Sequence, residues 1–157
     1  MSASCPRCQE VLSLERFGDA EVQMCPQCLG TLVKQMRLIT LMDALTKDMR
    51  GVDFYQPIEA AETDPTPVSC PHCAKPMERF GYMETKLVYA WRCSSDWLVW
   101  ADTEELGVMS VLYARTKTRR DAREAEAESE AESLNRRVHA MLRARFKSNG
   151  IGRGIPG

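Results

Sequence analysis

No run of apolar residues in this chain approaches the roughly 18 that a membrane-spanning helix needs. The N-terminus, MSASCPRCQE, lacks the basic-then-apolar pattern of an export signal, so the expected compartment is the cytoplasm. Histidine occurs only twice, and the chain has neither a phosphate-binding loop nor a nucleophile elbow. Nothing resembles a catalytic dyad, and no enzymatic activity is expected. Glycine and proline are missing between residue 114 and the last eight residues, which makes one long helix the natural reading of that stretch.

What is present is cysteine. Seven occur, at 5, 8, 25, 28, 70, 73 and 93. In a reducing compartment, paired CxxC motifs argue for metal rather than disulfides. The composition, 44% hydrophobic and 27% charged, fits a soluble globular chain with polar segments. The net charge of −1 hides an asymmetry. Residues 1–110 carry 10 Lys/Arg against 16 Asp/Glu, and residues 111–157 carry 11 against 6. An anionic partner would therefore meet the C-terminal part.

The cysteines belong to a diverged repeat. CPRC at 5–8 returns as CPHC at 70–73, ERFG at 15–18 returns at 78–81, and CPQC at 25–28 aligns with CSSD at 93–96. Each copy reads as a β-hairpin followed by a helix. Strands are expected at 11–14, 20–24 and 85–92, the last with Leu87, Tyr89 and Trp91 on one face. A helix is expected over roughly 32–50, from Leu38, Leu41, Met42, Leu45 and Met49, and a second begins near Asp102 with Glu105 completing a capping pair. Trp91, Trp97 and Trp100 crowd the second copy, where packing beneath a small metal module explains them better than stacking on bases.

Cys5, Cys8, Cys25 and Cys28 have the spacing of a structural zinc site, in which two CxxC turns present four thiolates as a tetrahedron. Four thiolates leave no open position, so that metal is structural. The second set, Cys70, Cys73 and Cys93, lacks one donor. Asp96 stands at the register of the missing cysteine; His72, His139, water and a degenerate site without metal are the alternatives. Register favours Asp96, giving two zinc ions per chain, the second bound more weakly because a carboxylate replaces a thiolate.

The run CPRC…CPQCLGTLV…L resembles the bacterial transcription-factor-IIB-type zinc ribbon, and CPHC…RCSSDWLVWADTEEL resembles it more closely beyond the ligands. The likeness covers roughly 4–46 and 69–113. It implies zinc binding at the seven cysteines and describes a fold, without establishing a role in transcription. Copy one departs at Thr31 and Leu32, and copy two at Asp96.

The expected fold is small α+β: two tandem zinc ribbons, each a β-hairpin plus helix, and a long C-terminal α-helix. The boundaries expected are 1–50 for the first ribbon and 51–69 for an acidic linker in which Phe54 and Tyr55 could dock. The second ribbon takes 70–113, the charged helix 114–149 and a Gly-rich tail 150–157. In the last helix Leu134, Val138, Met141, Leu142 and Phe146 share one arc. Arg136, Arg137, Arg143 and Lys147 take the other, with Arg145 interrupting the apolar side. Ala127, Ala131, Leu134, Val138 and Met141 keep a weak coiled-coil register, and the acidic block 124–132 could pair with a basic block of another chain in antiparallel fashion.

The function expected is a non-enzymatic zinc-binding protein that associates with a protein partner or with itself through this helix. The alternative is nucleic-acid binding by its cations Arg115, Lys117, Arg119, Arg120, Arg123, Arg136, Arg137, Arg143, Arg145 and Lys147. A zinc-dependent or redox enzyme comes third.

Overall fold

The computed structural model describes residues 3–47, 49 and 57–149. Phe54, Tyr55 and the C-terminal Gly-rich tail lie outside them. The chain divides into two compact units, Met1–Thr116 and Lys117–Gly157. The first unit contains strands β1 (Ser13–Phe17), β2 (Ala20–Met24) and β3 (Thr31–Lys34), helix α1 (Leu38–Thr46), and strands β4 (Glu78–Gly81), β5 (Tyr89–Cys93) and β6 (Leu98–Ala101). Helix α2 (Thr103–Asn149) begins in it and makes up the described part of the second unit.

Each ribbon is three-stranded, and the two share one antiparallel sheet in the order β1-β2-β3-β6-β5-β4. The order is palindromic because β3 and β6, the last strand of each ribbon, pair with each other. Leu32 faces Trp100 there, and these two residues also correspond in the repeat, 68 positions apart. A local two-fold relation therefore passes between them. One of the two edges that each ribbon would expose alone is consumed in the join, which removes a site of unwanted strand pairing and leaves β1 and β4 as the edges.

Both faces of the sheet are buried at its centre, and the alternation along β6 shows how. Val99 and Ala101 face a core completed by Ala20, Val22, Val33, Val88 and Ala90 with Leu41, Met42, Met109 and Leu112 from the helices. Leu98 and Trp100 join the opposite core with Leu12, Leu32, Val68, Met77, Trp91 and four cysteines, Cys5, Cys25, Cys70 and Cys93. A strand covered on both sides has no polar positions, so LVWA shows no period-two signal. That is why β6 was not expected from the sequence. Its counterpart TLVK was expected as the start of a helix. Thr31, Leu32 and Val33 instead pair with β6, a 3₁₀ turn follows at Gln35–Arg37, and α1 starts only at Leu38.

In the second ribbon Tyr89 and Trp91 share a strand face, but Leu87 precedes β5 and packs with the helix-side core. The described part of the linker lies against the body. Ile58 and Ala61 pack on the helix-side core, and Val68 is buried on the other.

The start of α2 holds half of the expected capping pair. Glu105 Oε2 accepts from the Asp102 backbone N–H at 2.9 Å. The Asp102 carboxylate turns elsewhere, accepting from Trp100 Nε1 at 3.0 Å and from Arg7 at 3.1 Å. Glu105 is only 1% exposed, and among the described residues its Oε1 meets no hydrogen-bond partner. Burial pushes its carboxyl up to about 7, against the opposing pull of the Asp102 N–H.

A raised acid keeps its proton in the fold while the unfolded chain ionises. Stability is therefore full below the ordinary glutamate range and falls as pH rises towards 7. Glu105→Gln keeps an acceptor for the Asp102 N–H and removes the titration, so its stability is expected to stay level where the native protein weakens. The gap at pH 8 has a ceiling of about 3 kcal/mol. Urea titrations of both proteins at pH 6 and 8.5, zinc-loaded, read this slope. Parallel profiles would show that Glu105 does not titrate in the fold.

Candidate metal centres

Four short turns supply the donors: Cys5–Cys8 before β1, Cys25–Cys28 between β2 and β3, Cys70–Cys73 before β4, and Cys93–Asp96 between β5 and β6. The turns share one design. The residue after the second donor takes a left-handed backbone conformation in all four: Gln9 (φ 63°), Leu29 (φ 59°), Ala74 (φ 58°) and Trp97 (φ 54°). None of these is glycine, so each turn holds a conformation that ordinary side chains disfavour. The first donor is tied five residues on in each case. Cys5, Cys25 and Cys70 donate their N–H to the carbonyls of Glu10, Gly30 and Lys75, and Cys93 pairs with Leu98 across β5 and β6.

The CSSD turn thus has the backbone of a CxxC turn, with Asp96 in the place of the second cysteine. Backbone amides point inward in the same way, Cys28 N–H to Cys25 Sγ and Asp96 N–H to Cys93 Sγ, both at 3.4 Å.

The donors converge in two clusters. Cys5, Cys8, Cys25 and Cys28 form one, and Cys70, Cys73, Cys93 and Asp96 the other, with donor atoms in each within 4.8 Å of one another. Zinc at the usual bond lengths requires tetrahedral edges of about 3.8 Å between sulfurs and about 3.6 Å between sulfur and oxygen. The first cluster has Cys5–Cys28 at 3.5 Å and Cys8–Cys25 at 3.3 Å. The second has Cys73–Cys93 at 3.6 Å, with Asp96 Oδ2 3.3 Å from Cys70 Sγ and 3.7 Å from Cys93 Sγ. Both donor sets fit zinc, and the second fits with Asp96 as its fourth member.

Neither histidine belongs to a cluster. His72 is exposed and its Nε2 lies 3.0 Å from Gln23 Oε1, while His139 is an exposed residue of α2.

Without metal, the donors differ in acidity. Burial pushes the Cys5 thiol far up and Cys70 up to about 12. At Cys25 burial acts in the same direction, but N–H donors from Cys28 and Gln27 and the Cys8 thiol outweigh it and bring the thiol to about 7. Hydrogen bonds from the Cys73 and Cys70 thiols hold Asp96 below the usual carboxylate range. A zinc ion takes the place of those thiol protons, so binding releases protons and weakens in acid.

Two features near the centres were not visible in the sequence. Arg7, inside the first turn, reaches across to the second ribbon and the linker. Its side chain meets both Asp102 oxygens, Asp64 Oδ2 at 3.3 Å and the Thr66 carbonyl at 2.9 Å, and lies 5.9 Å from the Trp91 ring centroid. An arginine between two cysteines reads as solvated, and its main partner is 95 residues away. Trp97, expected in the core with Trp91 and Trp100, is 66% exposed. The left-handed turn after Asp96 carries it outward, where it lines an open groove of about 640 Å³ with Lys34, Gln35 and Met36.

The predicted cations all lie on α2. Arg115 and Lys117 are half-buried, and the others are exposed. Arg120 faces Glu124 at 3.7 Å, one helical turn on. Arg136, Arg143 and Lys147 line one side with His139. Among the described residues no helix is long and apolar enough to cross a membrane.

Paired turns that close a four-donor cluster at one end of a three-stranded sheet define a zinc ribbon, and this chain has two. Residues 4–44 match the model of the transcription factor zinc-finger family, which is the first ribbon. The second ribbon, outside that match, carries the same turns with Asp96 as a donor. No curated protein and no solved structure matches the chain.

Proposed function

We propose that the chain is a non-enzymatic zinc-stabilised binding protein whose C-terminal helix offers an association surface to a protein, a second copy included. The observation that carries this reading is the solvent-facing apolar arc of α2, where Leu134 is 60%, Met141 71% and Phe146 78% exposed. Large apolar side chains at helical spacing mark a partner-binding face when nothing covers them. The zinc centres support a scaffolding role. Each has four protein donors, which leaves a bound ion no position for substrate.

Light scattering on the zinc-loaded chain, with Val138→Glu plus Met141→Glu as the comparison, tests this. The expected result is a native species larger than the monomer, or a partner complex, that the double substitution abolishes while zinc content stays the same. A variant that associates as the native chain does would remove the arc from the interface.

The opposite side of the same helix favours a second reading, nucleic-acid binding. There Arg136, Arg143 and Lys147 form a cationic row with His139. Such binding neutralises phosphates, so affinity for a generic duplex or single strand should fall steeply with salt. Absence of binding at low salt would sink it.

A further inference from the structure

We infer that residues 124–148 of α2 pair with the same segment of a second copy, antiparallel, about a two-fold axis beside Arg136. This rests on the reading that the helix associates, and it names the partner and its register. Three properties of the segment point the same way.

The first is shape. At 100° per residue, Ala127, Ala131, Leu134, Val138 and Met141 fall within about 80° of one another, a single seam. Val138, Met141 and Phe146 lie on the C-terminal side of Arg136, whereas on its N-terminal side Leu134 is followed outward by Ala131 and Ala127. An axis beside Arg136 sets Val138 opposite the partner's Leu134, and Met141 opposite the partner's Ala131. The two Leu134–Val138 pairs then fill the centre of the seam, and towards each end a large residue meets an alanine. A parallel, in-register pair would stack alanine on alanine and leave gaps there.

The second is charge. Glu124, Glu126, Glu128, Glu130 and Glu132 form one block, and Arg143, Arg145 and Lys147 belong to another. The antiparallel axis puts each acidic block opposite the partner's basic one. Arg145, which interrupts the seam, falls opposite the partner's Ala127, where its stem can cover the methyl group and its head can reach neighbouring carboxylates. Parallel pairing sets five carboxylates against five. The antiparallel arrangement brings the two copies of Arg137 together beside the axis, on an exposed flank where water and salt screen them.

The third is exposure. Leu134, Val138, Met141, Leu142 and Phe146 are all at least 45% exposed. α2 continues unbroken to Asn149, so the segment is a continuous helical face.

Sedimentation equilibrium on the full zinc-loaded chain tests the register. The native chain should form a dimer whose dissociation constant rises with salt. Reversing one block (Arg143→Glu, Arg145→Glu and Lys147→Glu together) should weaken it at least about tenfold, because both contacts of the pair become acid against acid. Adding Glu124→Lys, Glu126→Lys and Glu128→Lys to that variant should restore dimerisation, since the complementarity returns in the opposite sense. Zinc content and helicity, measured on each variant, confirm that the fold is intact. A native dimer that the first reversal leaves unchanged, or that the second set does not restore, overturns the register and leaves self-association standing. A native chain that stays monomeric at every concentration overturns the pairing itself, and an arc that still captures a different protein would keep the broader reading alone.

Discussion

Removing zinc is expected to unfold the first unit, and the second ribbon should let go first. Four of the residues buried on the metal side of the sheet are cysteine ligands, Cys5, Cys25, Cys70 and Cys93, packed with Trp91, Trp100, Leu32 and Leu98. They are part of the core as well as its metal donors. Structural zinc in small modules contributes about 10–16 kcal/mol of apparent binding energy, which is as large as the whole stability of a typical domain.

A chelator titration followed by tryptophan fluorescence and metal analysis should therefore show two losses. The ion at Cys70, Cys73, Cys93 and Asp96 leaves at lower chelator concentration, because an oxygen donor binds zinc less tightly than a thiolate at the same formal charge. Asp96→Ala should lower the count from two ions per chain to one. Asp96→Cys should keep two and move the first loss to higher chelator concentration. One ion in the native protein, or two in Asp96→Ala, would remove Asp96 from the coordination shell.

The sequence made the donors legible and left their surroundings obscure, for a physical reason. Ligand spacing is a local property, and CxxC separated by sixteen residues from CxxC announces its own geometry. The repeat then gave the register that put Asp96 in the shell, and the turn at Trp97 repeats the backbone of the other three. What joins the ribbons is not local. TLVK and LVWA are strands covered on both faces, so neither shows the alternation by which strands are recognised, and their pairing spans about seventy residues of chain. Arg7 holds Asp102 and Asp64 through contacts that only the folded sheet brings together. The three tryptophans illustrate the limit well. Composition suggested that all of them pack the core, but one residue in a left-handed turn reverses where Trp97 points. The helix was visible from its composition. Its exposed arc followed from period alone, whereas which partner covers it is a matter of register between chains.

Gly30→Ala should be among the most damaging single substitutions away from the ligands. A Cβ on Gly30 would sit 2.2 Å from Trp100 Cζ2 and 2.7 Å from Cη2, well inside any real contact. The indole cannot retreat. Trp100 is fully buried, it pairs with Leu32 across the join between the ribbons, and its Nε1 donates to Asp102, which Arg7 also grips. Moving the ring would therefore disturb the join and the start of α2 together. Gly30 also accepts the N–H of Cys25, so displacing the backbone instead would shift a metal donor. The cost expected is about 3 kcal/mol, the upper end for overpacking a well-filled core. Trp100→Leu removes the ring and leaves a cavity, costing a similar amount by a different route. If the clash is the cause, the double variant Gly30→Ala/Trp100→Leu should be less than additive, since the leucine leaves room for the methyl group. Denaturant midpoints of the four zinc-loaded proteins give the coupling. Strict additivity would mean that Gly30 matters for its backbone alone, and that the ring of Trp100 can move out of the way.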